Sequence, residues 1–377
     1  MNNQKKIAFL TGTRADFGKM KPLIQIIENH QNFEAHIFVT GMHLLETYGY
    51  TLIEVERCGF QNISTYSNDT HEASMDLTLA KTISGFSQFV KDTKPDLIVI
   101  HGDRVEALAG AIVGSLNNIL VAHVEGGELS GTIDELLRHA TSKMSHIHFV
   151  SNNKAKKLLE QMGELPESIF SIGSPDVDIM FSDKLPDLQT AKTYYNISFE
   201  SYAVAMFHPV TTEHGQMGNY ANEFVKGLLK SNKNYIVVFP NNDMGSQLIL
   251  DAYQELVNNS KFRVFPSIRF EYFLTLLKYS DFIIGNSSAG VREAPYYDIP
   301  TINIGTRQNN RAFSKAIINS DYNNSDILDS IKQIKNISFS KETNDFGKGN
   351  SSKEFLNVLL SESLWKTNHQ KQFRKLK

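Results

Sequence analysis

Short apolar runs alternate with helix-like segments along most of this chain, and that alternation restricts the fold more than any other feature. In the first half, apolar runs rich in β-branched residues occupy residues 7–10, 35–40, 97–101, 119–124 and 147–150. Segments with apolar residues at helical spacing follow several of them, as in residues 20–27, 107–116, 136–144 and 155–162. Strands that alternate with helices predict a parallel, doubly wound sheet.

A second series of the same kind predicts a second domain. Its strand-like runs are residues 202–207, 235–239, 262–265, 282–284 and 301–304, with helical patterns at 270–277 and 327–334. A polar, proline-containing stretch over residues 171–186 is interpreted as the linker. We therefore expect an α/β fold with a Rossmann-like N-terminal domain (1–178) and a Rossmann-like C-terminal domain (179–359). A helix over residues 360–377 is expected to complete the first domain.

Charge and composition exclude several classes of protein. The 377 residues include 38 basic and 41 acidic side chains, a net charge of −3, so no global field favours nucleic acid or an acidic membrane surface. The single cysteine, Cys58, excludes an internal disulfide and a cysteine-rich zinc site. The apolar run after Lys6 is too short for a signal peptide, and no later segment is long enough for a membrane span. A cytoplasmic protein is expected.

Most of the polar clusters lie just after predicted strands. Open parallel sheets bind ligands at the carboxyl ends of their strands. We therefore expect these clusters to converge on one cleft between the two domains. The residues concerned are Arg14, Asp103, Glu125, His208, Asn241, Ser288 and Arg307.

The stretch VAHVEGGELSGTIDE (residues 121–135) sets four carboxylates around a glycine-rich turn. Carboxylates crowded in a dry site cannot all stay ionised, so at least one pKa is expected to rise, which gives an acid and a base of one residue type. Histidines at 101, 123, 139, 146, 148 and 208 raise a metal site as an alternative. Because no HxxxH or HExxH spacing occurs, acid/base chemistry without a metal is favoured.

Three other motifs predict phosphate contacts. GTRADFGK (residues 12–19) lacks the spacing of a Walker motif, but Arg14 could hold a phosphate beside a helix N-terminus; the alternative is a surface pair with Asp16. In NSSAGVREAP (286–295), small residues could admit a diphosphate and Glu293 could bind ribose hydroxyls; the alternative is a plain serine cap with an exposed glutamate. GTRQNNR (305–311) places Arg307 near the same space.

Two candidate site residues have simpler interpretations. Asp103, in HGDRVEALAG, could merely cap the helix that follows it. His208, in MFHPVTTE, could be a core histidine before a proline.

Together with VTGMHL and FPSIRFEYFL, these motifs resemble the hydrolysing UDP-N-acetylglucosamine 2-epimerases of bacterial sialic acid synthesis, an early step toward capsule polysaccharides. The resemblance runs from the first strand to about residue 312. It implies a GT-B-type fold with UDP in the second domain, sugar chemistry at the interface, no cofactor, and a homodimer or homotetramer. Non-hydrolysing relatives carry other residues where this chain has EGGE (125–128) and NSSAG (286–290), which favours the hydrolysing branch.

The resemblance also assigns roles by position. Asp103, Glu125 and Asp134 match the family's catalytic carboxylates, and His208 matches its active-site histidine. The substrate or UDP contacts implied are Arg14, Asp16, Lys19, His43, Arg104, Ser287, Ser288, Glu293 and Arg307.

The implied reaction converts UDP-GlcNAc and water to ManNAc and UDP through 2-acetamidoglucal. Alternatives that the sequence leaves open are the same chemistry on a UDP-2,4-diacetamido-trideoxy sugar, a GT-B glycosyltransferase, and a sensor that binds the nucleotide sugar without turnover.

Overall fold

The computed structural model of this chain describes residues 4–70, 74–130, 132–309, 315–336 and 346–374. Its strands are β1 (Lys5–Thr11), β2 (Phe33–Val39), β3 (Ile63–Thr65), β4 (Leu97–His101), β5 (Leu120–Val124), β6 (Ile147–Val150), β7 (Ile169–Ser171), β8 (Ala203–Met206), β9 (Tyr235–Val238), β10 (Phe262–Phe265), β11 (Ile283–Gly285), β12 (Thr301–Ile304) and β13 (Ile317–Ser320). Its α-helices are α1 (Arg14–Glu28), α2 (Leu52–Glu56), α3 (Met75–Thr93), α4 (Val105–Leu116), α5 (Ile133–Met144), α6 (Asn153–Gln161), α7 (Pro175–Met180), α8 (Leu188–Tyr194), α9 (Met217–Ser231), α10 (Ser246–Val257), α11 (Phe270–Lys278), α12 (Ala289–Arg292), α13 (Asn324–Gln333) and α14 (Ser351–Leu359). None of the helices in these ranges is long and apolar enough to cross a membrane.

The described residues form two parallel sheets. The first has seven described strands in the order β3-β2-β1-β4-β5-β6-β7, and the second has six in the order β10-β9-β8-β11-β12-β13. All neighbouring strands pair in parallel. Strands β3, β7 and β13, which the sequence analysis missed, lie at sheet edges.

Apolar side chains cover both faces of the first sheet. Ile7 and Phe9 of β1 pack into one buried cluster, whereas Ala8 and Leu10 pack into another with Phe86 of α3. Successive residues of a strand point to opposite faces, so a strand buried on both sides must be apolar throughout. The second sheet has its own core, to which strands β8 and β9 and helices α9 and α10 contribute.

The strand order reverses once in each sheet, and this point determines where a ligand can bind. The reversal lies between β1 and β4 in the first sheet and between β8 and β11 in the second. Chain segments leave the carboxyl ends of such neighbouring strands in opposite directions and open a crevice there. The sequence predicted site residues in the segments after β1, β4, β8 and β11, and also in those after β2, β5 and β12.

The chain divides into two compact units. Unit 1 takes in the described residues of Met1–Glu128, Asp134–Ser182 and Asp345–Lys377, and unit 2 those of Leu129–Ile133 and Asp183–Asn344. Helix α14 therefore belongs to unit 1, and the expectation that the second domain runs to residue 359 was wrong. The reason is packing, because Phe355 and Leu359 of α14 are buried in the core of the first sheet.

The predicted helix over residues 360–377 was also wrong. Among the described residues of this segment, which end at 374, the helical structure is a short 3-10 turn at Leu364–Lys366. The segment instead packs on the rest of unit 1 through long-range hydrogen bonds. The N–H of Arg374 donates to the Gly163 carbonyl at 2.8 Å, and Lys371 Nζ donates to the carbonyls of Ser142 at 2.9 Å and Ser145 at 2.5 Å.

Candidate active site

The acidic turn after β5 is fixed by several contacts around Glu125. This residue has a left-handed backbone with φ +62°, and its N–H donates to the Phe149 carbonyl at 2.8 Å. Its buried carboxylate lies 3.0 Å from His101 Nε2 and 3.5 Å from Lys19 Nζ. The Ser174 hydroxyl also donates to it. One carboxylate is therefore oriented by groups from three separate parts of unit 1.

Two of the residues around this turn come from the stretch that was interpreted as a linker, and that interpretation was wrong. Ser174 precedes α7, and Asp176 within α7 is only 2% exposed. Asp176 Oδ2 lies 3.2 Å from Lys19 Nζ, so Lys19 lies between the carboxylates of Glu125 and Asp176. Polar residues of this kind are buried here because each has a polar or charged partner. Sequence reasoning missed both residues, since nothing in the stretch itself reveals those partners.

Arg138 of α5 connects the turn after β4 to the acidic turn. Its Nη2 donates to the Asp103 carboxylate, and its Nη1 donates to the Glu128 carbonyl at 3.1 Å. Helix α4 has Arg104 as its N-cap residue, so the simpler interpretation of Asp103 as the cap is wrong. Asp134, half-buried in the first turn of α5, lies one helical turn before Arg138. That spacing was the available signal for Arg138, which the sequence analysis missed.

Glu106 is a further candidate site residue that the sequence did not reveal. It is 1% exposed, and its Oε2 accepts a hydrogen bond from Arg104 Nε at 3.3 Å. A Cβ atom at Gly12 would lie 2.8 Å from Glu106 Cδ, and one at Gly41 would lie 2.7 Å from Glu106 Oε1. The two glycines therefore leave room for the carboxylate that orients Arg104.

Asp16 and His43 shape the loop after β1. Asp16 completes a capping box with Thr13 at the start of α1 and accepts a hydrogen bond from the Thr11 hydroxyl at 2.5 Å. His43 Nε2 lies 3.0 Å from Thr11 Oγ1, and His43 Nδ1 lies 2.7 Å from Thr51 Oγ1. Burial lowers the pKa of His43 to about 4, so the ring is neutral at neutral pH. Contact of either residue with substrate or UDP stays a prediction.

Arg14 follows the N-cap residue of α1 and is half-buried. Its Nη2 lies 3.7 Å from Glu54 Oε1 of α2. The alternative of an exposed surface pair with Asp16 does not fit, since Arg14 is half-buried. The Asp16 carboxylate instead belongs to the capping box of α1.

The histidines that suggested a metal site as an alternative have separate partners. His148 Nε2 lies 3.1 Å from Glu164 Oε2, and His139 Nε2 lies 3.8 Å from Glu135 Oε1. Within the part of the chain that the structure describes, no group of three or more His, Cys, Asp or Glu side chains could hold a metal ion.

In unit 2, Asn286 organises the residues around His208. The His208 N–H donates to Asn286 Oδ1 at 2.6 Å, and Asn286 Nδ2 donates to the His208 carbonyl at 2.8 Å. His208 Nδ1 accepts a hydrogen bond from the Asn241 N–H at 3.0 Å. A neutral His208 therefore carries its proton on Nε2, the nitrogen that can donate to an anion. The fixed and partly exposed ring does not fit the simpler interpretation of a plain core histidine.

The Asn286 carbonyl also binds the segment after β12. Arg307 Nη1 donates to it at 3.3 Å, and the buried Gln308 donates to it from Nε2 at 3.0 Å. Arg307 and His208 are thus both held against Asn286. Arg311, the last residue of GTRQNNR, lies outside the described residues.

The motif NSSAGVREAP (286–295) folds differently from expectation in one respect. Helix α12 has only four residues, and Glu293 is its C-cap rather than a residue one turn inside a longer helix. Pro295 follows closely and has no N–H to continue the α-helical hydrogen bonds, so α12 ends and a 3-10 turn (Ala294–Tyr297) follows it. Glu293 is 4% exposed, so the alternative of an exposed glutamate is wrong. Ser288 precedes α12 without a side-chain capping bond, whereas Ser287 Oγ accepts one from the Ala289 N–H at 3.3 Å.

A model of the family described as UDP-N-acetylglucosamine 2-epimerase matches residues 25–360, most of the chain. The chain belongs to this family. It is 48% identical over 374 residues to a UDP-N-acetylglucosamine 2-epimerase of Neisseria meningitidis serogroup B, covering 98% of both chains. It is 33% identical to the UDP-N,N'-diacetylbacillosamine 2-epimerase (hydrolyzing) of Legionella pneumophila, covering 94% of this chain and 95% of the relative.

The fold of the family is known from solved structures. The UDP-GlcNAc 2-epimerase of Methanocaldococcus jannaschii, solved with UDP-GlcNAc and UDP, superposes with a TM-score of 0.78. The match covers 94% of this chain and 99% of that one at 22% identity. The predicted fold class, α/β with two Rossmann-like parallel sheets of GT-B type, is confirmed.

Proposed function

We propose that this chain is a hydrolysing UDP-N-acetylglucosamine 2-epimerase, which converts UDP-GlcNAc and water to ManNAc and UDP as the first step of sialic acid synthesis. Family membership and the Neisseria relative support the reaction class. The observation that carries the proposal is the pair of oriented carboxylates in unit 1, Asp103 on Arg138 and Glu125 beside Lys19. Removal of a proton from one face of C2 and delivery of a proton to the other face require positioned acid–base groups, and carboxylates can serve in both roles.

The proposed reaction has two stages. A base removes the proton on C2, the electrons of that C–H bond form a C1=C2 double bond, and the C1–O bond breaks with its electrons going to UDP. The intermediate is 2-acetamidoglucal. Water then adds its oxygen to C1 and gives up one proton, while an acid delivers a proton to C2 on the opposite face. The sum consumes one water and inverts C2.

The residues of unit 1 are proposed to handle the protons. Asp103 and Glu125 serve the elimination, and Asp134 serves the hydration. Arg138, Lys19 and the other donors hold two of these carboxylates in fixed orientations, which avoids the cost of ordering them during reaction. Arg104, fixed by the buried Glu106, is proposed to contact the substrate.

The residues of unit 2 are proposed to bind UDP. His208 can donate from Nε2 to a diphosphate oxygen or to the leaving oxygen, and Arg307 can stabilise the charge on departing UDP. Ser287 and Ser288 offer hydroxyls to the same phosphates, and Glu293 accepts from ribose. The other proposed contacts with substrate or UDP are Arg14, Asp16, Lys19 and His43. No metal takes part in this scheme.

The hydrolysing mode has two supports of its own. The chain carries EGGE and NSSAG where non-hydrolysing relatives differ. The Legionella relative, which matches nearly the full length of this chain, is named as hydrolyzing.

NMR of the purified protein with UDP-GlcNAc in D2O tests the proposal. We expect free UDP and ManNAc with deuterium at C2, and the same rate in the presence of a chelator. Formation of UDP-ManNAc without free UDP would instead identify a non-hydrolysing epimerase. Binding without any reaction would reject the epimerase proposal for this substrate.

A UDP-2,4-diacetamido-trideoxy sugar is the second candidate substrate, because the Legionella relative is named for such a compound. The same assay with UDP-N,N'-diacetylbacillosamine decides between the two. A kcat/KM at least tenfold higher for that nucleotide sugar would move the assignment to it.

We also propose a cytoplasmic homodimer or homotetramer, as the family resemblance implies. Light scattering coupled to size-exclusion chromatography measures the assembly directly. A monomeric mass at micromolar concentration would contradict it.

A further inference from the structure

His123 lies in β5, between β4 and β6 of the first sheet, and has no role in the proposed reaction. Its side chain is fully buried. Its Nε2 lies 2.7 Å from the Gly102 carbonyl oxygen, and its Nδ1 lies 2.9 Å from the Ser142 hydroxyl. The ring therefore bridges the turn after β4 and helix α5.

The two contacts fix the proton on the ring. A carbonyl oxygen can only accept, so Nε2 must carry the proton that is donated to Gly102. Nδ1 is then the acceptor, and the Ser142 hydroxyl is its donor. Burial lowers the pKa of His123 to about 3, so the neutral ring persists at neutral pH.

Gly102 is bound to β5 through both of its backbone groups. Its N–H donates to the Val124 carbonyl at 3.0 Å, and its carbonyl accepts from His123. Gly102 has a left-handed backbone, with φ +75°. Asp103 follows directly, so the position of its backbone depends on the His123 hydrogen bond.

Helix α5 also contacts the turn after β4 directly. Arg138 donates to the Asp103 carboxylate, and Ser142, one helical turn later, orients His123. The acidic turn packs on this arrangement as well, because a Cβ atom at Gly126 would lie 2.7 Å from Ser142 Oγ and 2.8 Å from His123 Nδ1. The bridge between His123 and Ser142 therefore touches both turns that carry the proposed catalytic carboxylates.

We propose that His123, oriented by Ser142, is a positioning residue. It holds the two turns that carry Asp103 and Glu125, so that both carboxylates are placed correctly for the reaction. The inference rests on the proposed function, since it assumes that these two carboxylates act on the nucleotide sugar. His123 itself transfers no proton, because both ring nitrogens are committed to protein partners.

Three substitutions test the bridge. His123→Phe removes both hydrogen bonds, His123→Gln can keep a donor toward Gly102, and Ser142→Ala removes the donor to Nδ1. We expect His123→Phe to lower kcat for UDP release about 100-fold, since displacements near 1 Å cost about that much. The kcat of His123→Gln should be at least tenfold higher than that of His123→Phe. The kcat of Ser142→Ala should lie between those of the two His123 variants. KM and the calorimetric affinity for UDP should stay within about twofold.

His148 provides a matched control. It pairs directly with His123 across β5 and β6 and is equally buried, but its Nε2 lies against Glu164. His148→Phe should lower the melting temperature as His123→Phe does, while kcat stays within about threefold of wild type. The pH profile of kcat should shift in the variants of His123 and Ser142 and not in His148→Phe, because only the former alter the geometry of Asp103 and Arg138.

The inference is overturned if His123→Phe keeps the wild-type kcat, or if the Phe and Gln variants of His123 lose activity equally and in proportion to their melting temperatures. These outcomes leave the proposed function intact when wild-type protein releases UDP in the same assay. Wild-type protein that releases UDP from neither UDP-GlcNAc nor UDP-N,N'-diacetylbacillosamine would overturn both.

Discussion

At the scale of single residues, the side chains of unit 1 hold two carboxylates in fixed orientations. Glu125 is bound by Ser174 and lies against His101 and Lys19, while Asp103 is bound by Arg138. Charged and hydroxyl donors on a carboxylate make the strongest hydrogen bonds in proteins. The orientation of each carboxylate is therefore determined before any substrate binds.

Removing the charge on either carboxylate tests its proposed role. Asp103→Asn and Glu125→Gln should each lower UDP release by at least about 100-fold, since general acid–base catalysis contributes about 10²–10⁴. UDP affinity, measured by calorimetry, should be nearly unchanged. Asp92→Asn, an exposed carboxylate that accepts from Gln88, is the control and should behave as wild type. Normal turnover in both site variants would exclude Asp103 and Glu125 from the elimination step.

Arg307 should act on binding instead. Arg307→Ala removes a positive charge proposed to face the diphosphate, so UDP affinity should fall about tenfold or more. Arg263→Ala, on the edge strand β10, is the control, because its side chain binds the Asn196 carbonyl on the surface. Unchanged calorimetric affinity for UDP in the Arg307 variant would exclude Arg307 from the nucleotide site.

At the scale of elements, α5 and the C-terminal segment form one connected structure. Lys371 donates to the carbonyls of Ser142 and Ser145 near the end of α5, where a positive charge favours the helix dipole. Its Nζ also lies 2.7 Å from Glu164 Oε2. The C-terminal segment thus stabilises the helix that supplies Arg138 and Ser142 to the site.

Lys371→Met should destabilise the protein measurably. The side chain of Lys371 is 14% exposed, and its loss leaves Glu164 with Lys143 and His148 as partners. We expect a loss of about 2 kcal/mol, below the usual cost of breaking a buried pair because two partners remain. Lys366→Met, whose side chain is 77% exposed, should have no such effect. Equal melting temperatures for the two variants in thermal denaturation would contradict this.

At the scale of the whole molecule, buried neutral histidines make folding sensitive to acid. Burial lowers the pKa of His43 to about 4 and that of His123 to about 3, against 6.5 for an ordinary histidine. The unfolded chain therefore binds more protons than the folded chain between pH 6.5 and these values. Stability must fall as pH is lowered through that window, by up to about 3 kcal/mol for His43 and about 5 kcal/mol for His123.

Thermal melts from pH 7 to pH 4 measure this dependence. The melting temperature should decline steadily below pH 6.5, and His123→Gln should flatten the decline because it removes one titrating group. His30→Gln, on a partly exposed histidine, serves as the control and should keep the wild-type slope. A His123 variant with the wild-type slope would show that the ring is not held neutral.

The central strands and the motifs at their ends followed from the sequence alone. Strands such as β4 are buried on both faces of a parallel sheet, so they must be continuous apolar runs and can be recognised without a structure. The edge strands β3, β7 and β13 were missed because they are short and only partly covered. Polar residues directly after a central strand must lie at the carboxyl edge, which is why Asp103, Glu125 and His208 could be named as site candidates from the sequence.

Only the tertiary structure decided how those residues are held. Ser174 lies 49 residues from Glu125, and Arg138 lies 35 residues from Asp103, so no local pattern could pair them. The same holds for the C-terminal segment, where helical spacing suggested a helix but long-range hydrogen bonds to unit 1 determined an irregular path. A sequence fixes which local conformations are favourable, whereas contacts between distant segments depend on packing in three dimensions.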